Sequence, residues 1–594
     1  MCGIAGVLGH PDAAVLQRMN RLQHHRGPDE NDVWLDEDVG FAHARLSILD
    51  LQSSQQPMTG AEGTVVILNG EIYNHQALRT HYSSYPYKTS GDTEAVLAAH
   101  HAARQTMPHM TSSDHAGWLS TLDGMYAIAL WHPVSRELIL ARDPMGIKPL
   151  SRTMVNDSLM FASEIKAFRA DERYAPELDD VAMAARLVWE YPLDGTTLLK
   201  SVHQVRPGTV ERWSLDQLSQ PVLLDVANIE RQRLSPTNDW NPSTNAAGLL
   251  ESFVSGVQQR LMADVPVGIV LSGGLDSSMV AAVAHEAAER AGQPVPECWT
   301  VAESEDNPDW KAAEMVASHH DLVHHQHLLE PSAFEKRLPK LAWHGEDADV
   351  TVMFFHPLFE HMADHVKVGL CGQGADELHA GYPRYGALAE HGQTLKQRMD
   401  ALPDRHKAAL LNGELSSSEG WYTPTHDPEA ITGDLQTMLN FELEHGQLSN
   451  FQLRLVDRHS MAHSLEVRVP FLGSDHRTAA YGLPEDWKRG AGREEKAALR
   501  QAADLTRLPK EIVRRPKLPA GRATSPTMLD QFLTERRSQT EELLDHYAQW
   551  APVLKGQEEL ALGLGLFESL HLRDDGHLRT SHSIDDLIAE VIAP

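Results

Sequence analysis

The chain has 594 residues, more than one ordinary hydrophobic core accommodates, so about two to four domains are expected. Its 52 Lys and Arg residues stand against 83 Asp and Glu residues, and the formal charge of -31 argues against nucleic acid as the main ligand. With only 3 cysteines, far apart, and no run of about 18 apolar residues, we expect a cytoplasmic protein that has no disulfide framework and no membrane or nucleic-acid partner.

The first part of the chain predicts strands of an antiparallel α+β layer. Short apolar runs broken by turn residues carry this prediction: VVILNGE, MYAIALW, ELILARD and SLMFASE. This pattern extends to about Trp213. Residues 214–243 are polar and irregular, with SLDQLSQP and SPTNDWNPS, which predicts a linker or a surface between domains.

After the predicted linker, strands, glycine turns and helices follow one another. VPVGIVL leads through a glycine turn to SSMVAAVAHEAAERAG, and VKVGLCGQGADE has the same order. Such units predict a parallel α/β sheet. From about Leu388 onward the sequence predicts mainly helices, and residues 531–594 form a C-terminal extension whose role stays open.

Cys2 lies in the opening stretch MCGIAGVLG and is a candidate nucleophile. If Met1 is removed, Cys2 carries a free α-amine beside its thiol. A thiol with a pKa of about 8.5 is only slightly ionised at neutral pH, whereas an α-amine with a pKa of about 7.7 to 8.0 can accept the thiol proton. The alternative is a small buried residue in a strand, as most free cysteines are.

Further segments accompany the terminal cysteine: HHRGPDE (24–30), HARLSILD (43–50), LNGEIYNH (68–75), SGDTE (90–94) and ARDPMGIKPL (141–150). Together they resemble the glutaminase domain of class II glutamine amidotransferases, which implies an N-terminal-nucleophile fold of stacked antiparallel sheets with helices over residues 1–213. The resemblance implies that Cys2 attacks the amide of glutamine and that Asn69 and Gly70 stabilise the oxyanion. It assigns glutamine binding to Arg45, Asn69, Gly70, Glu71 and Asp92. Taken alone, Asn69 and Gly70 would also suit a type I′ turn.

The segment GIVLSGGLDSS (268–278) is typical of a phosphate-binding loop. Its backbone N–H groups can donate to phosphate oxygens, and the N-terminus of the helix that follows carries partial positive charge. It lacks the GK[ST] of a Walker A loop and resembles the pyrophosphate loop of N-type ATP pyrophosphatases, which form acyl-adenylates. The resemblance assigns ATP binding to Leu271, Ser272, Gly273, Gly274, Asp276, Ser277 and Ser278, and to Cys371, Gly372 and Gln373 of the second glycine turn.

The same resemblance implies Mg²⁺ as a second cofactor beside ATP. Asp276 and Asp376 would be its ligands, since Mg²⁺ prefers oxygen atoms. Lys496, in GREEKAALR (492–500), would neutralise charge on the departing pyrophosphate. A lysine on a helix is usually solvated, so only its agreement with the family motif supports this role.

With MAHSLEVRVPFLGSDHR (461–477), the chain from Cys2 to about Pro516 resembles the glutamine-dependent asparagine synthetases. This implies a PP-loop synthetase domain over residues 244–530. The expected reaction adenylates aspartate with ATP and amidates it with ammonia from glutamine, giving asparagine, AMP, pyrophosphate and glutamate. Its partners would be these small molecules, and related enzymes are often homodimers.

The second glycine turn departs from the family pattern. Asparagine synthetases usually carry SGEG[SA]DE there, whereas this chain has CGQGADE, with Gln373 in place of the glutamate. A neutral amide cannot act as a general base. An amidotransferase with a different carboxylate acceptor, such as an N-acetylglutaminylglutamine-like dipeptide or a biosynthetic intermediate, therefore stays open. A degenerate synthetase that only binds glutamine is disfavoured, because Asp276, Asp376 and Lys496 are all present.

Overall fold

The computed structural model describes residues 2–230, 233–237, 239–350, 355–412, 426–490, 492–518 and 526–593. Its strands are β1 Cys2–Leu8, β2 Glu30–Leu35, β3 Val39–Arg45, β4 Met58–Thr59, β5 Val65–Ile72, β6 Gly124–His132, β7 Glu137–Arg142, β8 Ser151–Val155, β9 Ser158–Ala162, β10 Val202–Gln204, β11 Thr209–Leu215, β12 Pro221–Asn228, β13 Val267–Val270, β14 Glu297–Ala302, β15 His324–Leu328, β16 Val368–Leu370 and β17 Glu466–Arg468.

The helices up to residue 411 are α1 Ala13–Leu22, α2 His75–His81, α3 Thr93–Thr106, α4 Ser112–Leu119, α5 Asp180–Trp189, α6 Pro242–Arg260, α7 Leu275–Ala282, α8 Ala284–Ala291, α9 Pro308–His319, α10 Pro331–Gly345, α11 Phe355–Ala363, α12 Ala375–His379, α13 Leu388–Asp400 and α14 Asp404–Leu411. The later helices are α15 Pro428–Ile431, α16 Leu435–His445, α17 Arg454–Met461, α18 Ser474–Tyr481, α19 Glu485–Lys488, α20 Ala497–Ala503, α21 Lys510–Val513, α22 Pro526–Glu535, α23 Arg537–His546, α24 Ala551–Leu554, α25 Glu558–Phe567, α26 Gly576–Arg579 and α27 Ile584–Ile592.

Two six-stranded antiparallel sheets form the first part of the chain, in the orders β10-β8-β9-β1-β3-β2 and β12-β11-β7-β6-β5-β4. They face each other through a buried apolar cluster that joins Ile4 and Phe41 of one sheet to Ile67 and Ala129 of the other. The predicted pair of stacked antiparallel sheets is confirmed. Because β1 lies between β9 and β3, Cys2 begins a central, fully buried strand.

Helices cover the outer faces of both sheets. α1 packs on β1 and β3, and its Leu16 shares a buried cluster with Val7. α3 packs on β5 of the other sheet, where Leu97 and Leu68 belong to one cluster. Because β1 and β6 are buried on both faces, they carry nearly continuous apolar runs rather than alternating ones.

The second part of the chain contains a parallel sheet of five strands in the order β15-β14-β13-β16-β17. All of its strand pairs are parallel, which confirms the predicted α/β class. The carboxyl ends of β13 and β16 lie side by side, so the two glycine turns that follow these strands meet at one edge of the sheet. The single helix predicted over residues 277–292 is broken at Val283 into α7 and α8.

Part of the predicted linker is a strand. Within residues 214–243, the segment Pro221–Asn228 forms β12, which pairs with β11 and extends the second sheet of the first part. The prediction missed this strand because the polar segments on either side of PVLLDVAN dominate the local composition. The correction shortens the irregular connection, and α6 begins at Pro242.

The C-terminal helices pack onto the second part of the chain. Leu341 and Trp343 of α10 belong to the same buried cluster as Leu564 of α25 and Leu587 of α27. The C-terminal extension therefore shares a hydrophobic core with the parallel-sheet domain. Within the residues described, no helix is both long and apolar enough to cross a membrane.

Candidate active site

Cys2 at the start of β1 lies beside Asn69 of β5. The Cys2 backbone nitrogen, which becomes the α-amine if Met1 is removed, donates a hydrogen bond to Oδ1 of Asn69 at 3.1 Å. The Asn69 side chain in turn donates from Nδ2 to Oγ of Ser163 at 3.4 Å. Burial raises the pKa of the Cys2 thiol, so the thiol needs a base before it can act as a nucleophile. The structure thus brings the predicted nucleophile and its amide neighbour together.

Gly70 occupies a backbone conformation that requires glycine. Its φ is 146°, and a Cβ atom at this position would lie 1.9 Å from the carbonyl oxygen of Met125 on the neighbouring strand. Asn69 and Gly70 lie within β5 and pair with Ala127 and Tyr126. They are part of a strand, so the type I′ turn is not the reason for the Asn-Gly pair.

Arg45 lies directly opposite Cys2 in the pairing of β1 with β3. Its Nη1 atom is 3.0 Å from Oε2 of Glu30, and its Nη2 atom donates to the backbone oxygen of Asp50 at 2.7 Å. These bonds hold the guanidinium group beside the cysteine, where a substrate carboxylate could pair with it.

Glu71 and Asp92 supply two buried carboxyl groups to the same region. Oδ2 of Asp92 accepts a hydrogen bond from the backbone N–H of Ile72 at 2.9 Å, which ties it to β5. Oε2 of Glu71 is buried and has no hydrogen-bond partner among the described residues, while its Oε1 lies 3.7 Å from Nη2 of Arg468. Burial raises the pKa of both carboxyl groups. A buried acceptor without a partner suits an ammonium ligand.

The loop between β13 and α7 is fixed by its own serines. Oγ of Ser277 accepts from the backbone N–H of Ser272 at 3.1 Å and donates to the carbonyl oxygen of Gly274 at 3.2 Å. Gly273 has a φ of 71°, and a Cβ there would lie 2.6 Å from the side chain of Ala312. The loop therefore packs tightly on α9 and depends on glycine.

Lys496 bridges two carboxylates at this loop. Its Nζ atom lies 2.6 Å from both carboxylate oxygens of Asp276 and 2.6 Å from Oδ1 of Asp376. A second lysine, Lys517, places its Nζ atom 2.7 Å from Oδ2 of Asp376. Burial opposes ionisation of Asp376, yet the two lysines hold the pKa of its carboxyl group below the ordinary value. Two carboxyl groups at one point supply the oxygen donors that Mg²⁺ prefers, so the residues fit this ion.

A cavity lies beside this cluster. Its lining includes Ser272, Gly274, Asp276, Ser277, Lys496, Arg515 and Lys517. Leu271, Gly273 and Ser278, also predicted to bind ATP, do not line the cavity, and Leu271 and Ser278 are buried.

The second glycine turn packs onto the first. A Cβ at Gly372 would lie 2.7 Å from Cβ of Asp276, so the two turns are in direct contact. Gln373 donates from Nε2 to Oε1 of Gln452 at 3.1 Å. Burial raises the pKa of Cys371 to about 12, which keeps this thiol protonated. Cys371, Gly372 and Gln373 were predicted to bind ATP, but none of them lines the cavity.

Sequence reasoning missed two basic residues of this site. Arg515 donates from Nη1 to the carbonyl oxygen of Gly273 at 2.9 Å and pairs through Nη2 with Asp309 at 2.6 Å. Lys517 lies two residues further on. The basic run RRPK (514–517) is the only local signal, and such a run is usually a solvated surface.

Arg26 of HHRGPDE links the two parts of the chain. Its Nε atom donates to the backbone oxygen of Cys2 at 3.1 Å, and its Nη1 atom lies 2.9 Å from both Glu164 and Asp457. Asp457 belongs to α17 of the second part. The backbone of the candidate nucleophile is therefore connected to the other domain through one fully buried guanidinium group.

Comparisons with known proteins agree with this architecture. A family described as "Glutamine amidotransferase domain" matches residues 1–222, and the family "Asparagine synthase" matches residues 248–557. Asparagine synthetase [glutamine-hydrolyzing] 1 of Bacillus subtilis is 29% identical over 577 residues, with 87% of this chain and 86% of the relative covered. Asparagine synthetase [glutamine-hydrolyzing] of Zea mays is 27% identical, with 93% and 83% covered.

A solved structure is also similar, the glutamine phosphoribosylpyrophosphate amidotransferase from B. subtilis complexed with ADP and GMP. It is 18% identical, covers 49% of this chain and 65% of its own, and gives a TM-score of 0.28. The asparagine synthase match spans more than half of the present chain. The chain therefore belongs to the asparagine synthase family and carries a glutamine amidotransferase domain in front of its synthase domain.

Proposed function

We propose that the chain is a glutamine-hydrolysing asparagine synthetase. It would adenylate the side-chain carboxylate of aspartate with ATP and amidate it with ammonia from glutamine, yielding asparagine, AMP, pyrophosphate and glutamate. The observation that carries this proposal is Lys496 held between Asp276 and Asp376 beside the glycine loop. The cytoplasmic location and the homodimer expected from the sequence stay predictions.

The first domain would release ammonia from glutamine. After removal of Met1, the Cys2 amine accepts the thiol proton, and the sulfur attacks the amide carbon. The hydrogen bond from this amine to Asn69 supports the assignment, because it fixes the base beside the thiol. We assign the oxyanion to the Asn69 amide and the Gly70 N–H, and such donors each contribute about 3 kcal/mol.

The same domain would recognise glutamine by its two charged ends. Arg45 would pair with the α-carboxylate, and its own bonds to Glu30 and Asp50 keep it in place. Asp92 and the unpartnered oxygen of Glu71 would accept from the α-ammonium group. These three residues would therefore position the side-chain amide for attack by Cys2.

The second domain would activate the acceptor. Ser272, Gly274 and Ser277 line the cavity and would contact the phosphates of ATP. Asp276 and Asp376 would hold Mg²⁺, which neutralises polyphosphate charge when bound. Lys496 would stabilise the negative charge that develops on the departing pyrophosphate.

Ammonia must pass from the first site to the second without meeting solvent, where it would be protonated. The buried contacts of Arg26 with Cys2, Glu164 and Asp457 support a fixed arrangement of the two domains. We infer that this arrangement delivers ammonia to the adenylate.

Gln373 favours a second candidate function. Its amide is hydrogen-bonded to the amide of Gln452, and neither group can accept a proton at neutral pH. The acceptor would then be another carboxylic acid, such as an N-acetylated dipeptide or a biosynthetic intermediate, while the adenylation chemistry stays the same.

One experiment separates these candidates. Pyrophosphate release is measured from ATP, Mg²⁺ and glutamine with aspartate present or absent, and the amide product is identified by mass spectrometry. Aspartate-dependent release that yields asparagine supports the first candidate. Intact glutamine hydrolysis without aspartate-dependent pyrophosphate release contradicts the first candidate. The second candidate is then tested with N-acetylglutaminylglutamine as the acceptor.

A further inference from the structure

Three buried side chains that could bind a metal ion lie together outside the residues assigned to the two proposed sites: Asp194, His426 and His445. One donor atom from each lies within 4.8 Å of the other two. Asp194 is 4% exposed, His445 is 3% exposed and His426 is fully buried. Buried polar groups of this kind need partners, because an unsatisfied group in the interior costs stability.

Asp194 and His426 face each other without a hydrogen bond. Oδ2 of Asp194 and Nε2 of His426 are 3.4 Å apart, and neither atom has a hydrogen-bond partner among the described residues. On the other side of the His426 ring, Nδ1 bonds to the carbonyl oxygen of Leu410 at 2.9 Å. A carbonyl oxygen only accepts, so Nδ1 carries the ring hydrogen. Nε2 of the neutral ring therefore offers a lone pair toward the carboxylate oxygen.

A cation between these two atoms would satisfy both of them. A proton on Nε2 is one such cation, and a divalent metal ion is the other. Metal-binding histidines usually donate their second ring N–H to a backbone carbonyl or a carboxylate, as His426 does to Leu410. Zinc bonds of about 2.0 to 2.1 Å keep tetrahedral ligand atoms about 3.4 Å apart. The separation of Nε2 and Oδ2 is therefore the one that zinc requires.

His445 completes the set of ligands. Its Nδ1 atom lies 2.6 Å from Oδ1 of Asp194 and can supply a lone pair when Nε2 carries the ring hydrogen. The two carboxylate oxygens and one nitrogen from each histidine then give four donor atoms. Imidazole and carboxylate ligands suit Zn²⁺, whereas Mg²⁺ prefers oxygen ligands alone. Because all three side chains are buried, the set suits a structural ion rather than one that meets a substrate.

The backbone fixes Asp194 beside α16. Its φ of 57° lies in the left-handed region, which aspartate tolerates better than most residues. Its N–H donates to the carbonyl oxygen of His445 at 3.0 Å, and its own carbonyl oxygen accepts from Nδ2 of Asn450 at 2.9 Å. The carboxylate is thus placed against the end of α16 by contacts that do not depend on a metal.

The ligands come from three separate segments of the chain. Asp194 follows α5, within the residues matched by the glutamine amidotransferase family. His426 precedes α15 and His445 ends α16, and both lie within the asparagine synthase match. An ion bound by all three would therefore link the two domains.

A second group of similar composition, His25, Glu164 and His344, is satisfied without a metal. Glu164 lies 2.9 Å from Nη1 of Arg26 and 2.5 Å from Nζ of Lys166. Two basic side chains thus already neutralise its charge, so this group offers a matched control within the same chain.

We propose that Asp194, His426 and His445 bind one Zn²⁺ ion that joins the segment after α5 to the start of α15 and the end of α16. The ion would be structural and would hold the two domains together. This inference goes beyond the proposed function and does not depend on it. The alternative is an ion pair of Asp194 with protonated His445, to which Arg206 adds positive charge nearby, and then no metal binds.

The test measures zinc by inductively coupled plasma mass spectrometry in the full chain without an affinity tag. The chain is first exposed to a small excess of Zn²⁺ and then dialysed against buffer with Mg²⁺. The natural chain should keep about one zinc ion, and D194N and H426N should each keep less than about one tenth of an ion. Both variants preserve the local structure, because asparagine tolerates the left-handed backbone of Asp194 and its amide can replace the donor of His426 to Leu410.

H344Q and C2A are the controls. H344Q changes the satisfied group, and C2A removes a thiol that could itself bind zinc, so both should keep about one ion. A natural chain without zinc, equal zinc in H426N and H344Q, or loss of the ion in C2A would overturn the proposal. Thermal unfolding followed by circular dichroism reports folding in every variant. Zinc should raise the melting temperature of the natural chain and of H344Q but not that of H426N.

Discussion

Arg26 and Asp457 are joined across the two domains by a buried pair in which Nη1 and Oδ2 lie 2.9 Å apart. The two residues are 431 positions apart in sequence. The guanidinium group also donates to the backbone of Cys2, so a change at Asp457 reaches the glutamine site through one residue. This pair connects the candidate nucleophile to the synthase domain through a single side chain.

We predict that D457N uncouples the two reactions. Removal of one partner leaves Arg26 buried with less compensation, which costs about 3 to 5 kcal/mol in such pairs. The melting temperature should fall, and more glutamate should form per AMP released. D38N is the matched control, because Asp38 pairs with an arginine whose side chain is 53% exposed. An unchanged ratio of glutamate to AMP in D457N would contradict the prediction.

We predict that C2A abolishes glutamine use and spares synthesis with added ammonium chloride. In the proposed function Cys2 takes part only in the release of ammonia, and the cluster of Lys496 with Asp276 and Asp376 lies in the other domain. AMP release is measured with each nitrogen source. C298A is the control, since Cys298 is a buried free thiol in β14 and should keep both activities. Loss of both activities in C2A would assign a structural role to Cys2.

We predict that G70A lowers the rate of glutamine hydrolysis by about 100-fold, because β5 must move away from Met125 and the proposed oxyanion donors, Asn69 and Gly70, move with it. Steady-state hydrolysis of glutamine measures this loss. G117A in α4 is the control. No atom lies within 4 Å of a Cβ at Gly117, so this change should be neutral or stabilise the helix by about 0.5 to 1 kcal/mol. Equal rates of glutamine hydrolysis in G70A and G117A would contradict the role proposed for Gly70.

The sequence predicts much of the fold because the central strands are buried on both sides and consist of apolar runs, as in MYAIALW of β6. It also places Cys2 with Asn69, since a family motif carries each of them. The contacts of Arg26 with Asp457 and of Lys517 with Asp376 escape prediction, because no local pattern reports partners so distant in sequence. The strand β12 is not predicted for another reason, because the segments on either side of it are polar.

The last prediction concerns the pH dependence of glutamine binding. Burial raises the pKa of the Glu71 and Asp92 carboxyl groups, and an ammonium ligand needs them ionised. As the pH falls through these raised values, both groups gain protons, so affinity should decline at a higher pH than the ordinary values of about 3.9 to 4.3 imply. Isothermal titration of glutamine into C2A at a series of pH values measures binding without turnover.

D92N tests which groups are responsible. It should bind glutamine more weakly at neutral pH and show a smaller decline on acidification, because one titrating group has been removed. D32N is the matched control, since Asp32 lies on the exposed side of β2 and should leave the pH profile as it is in C2A alone. A pH profile of D92N that overlays the control at every pH would show that Asp92 does not face the ammonium group, and the acidic decline would then belong to Glu71.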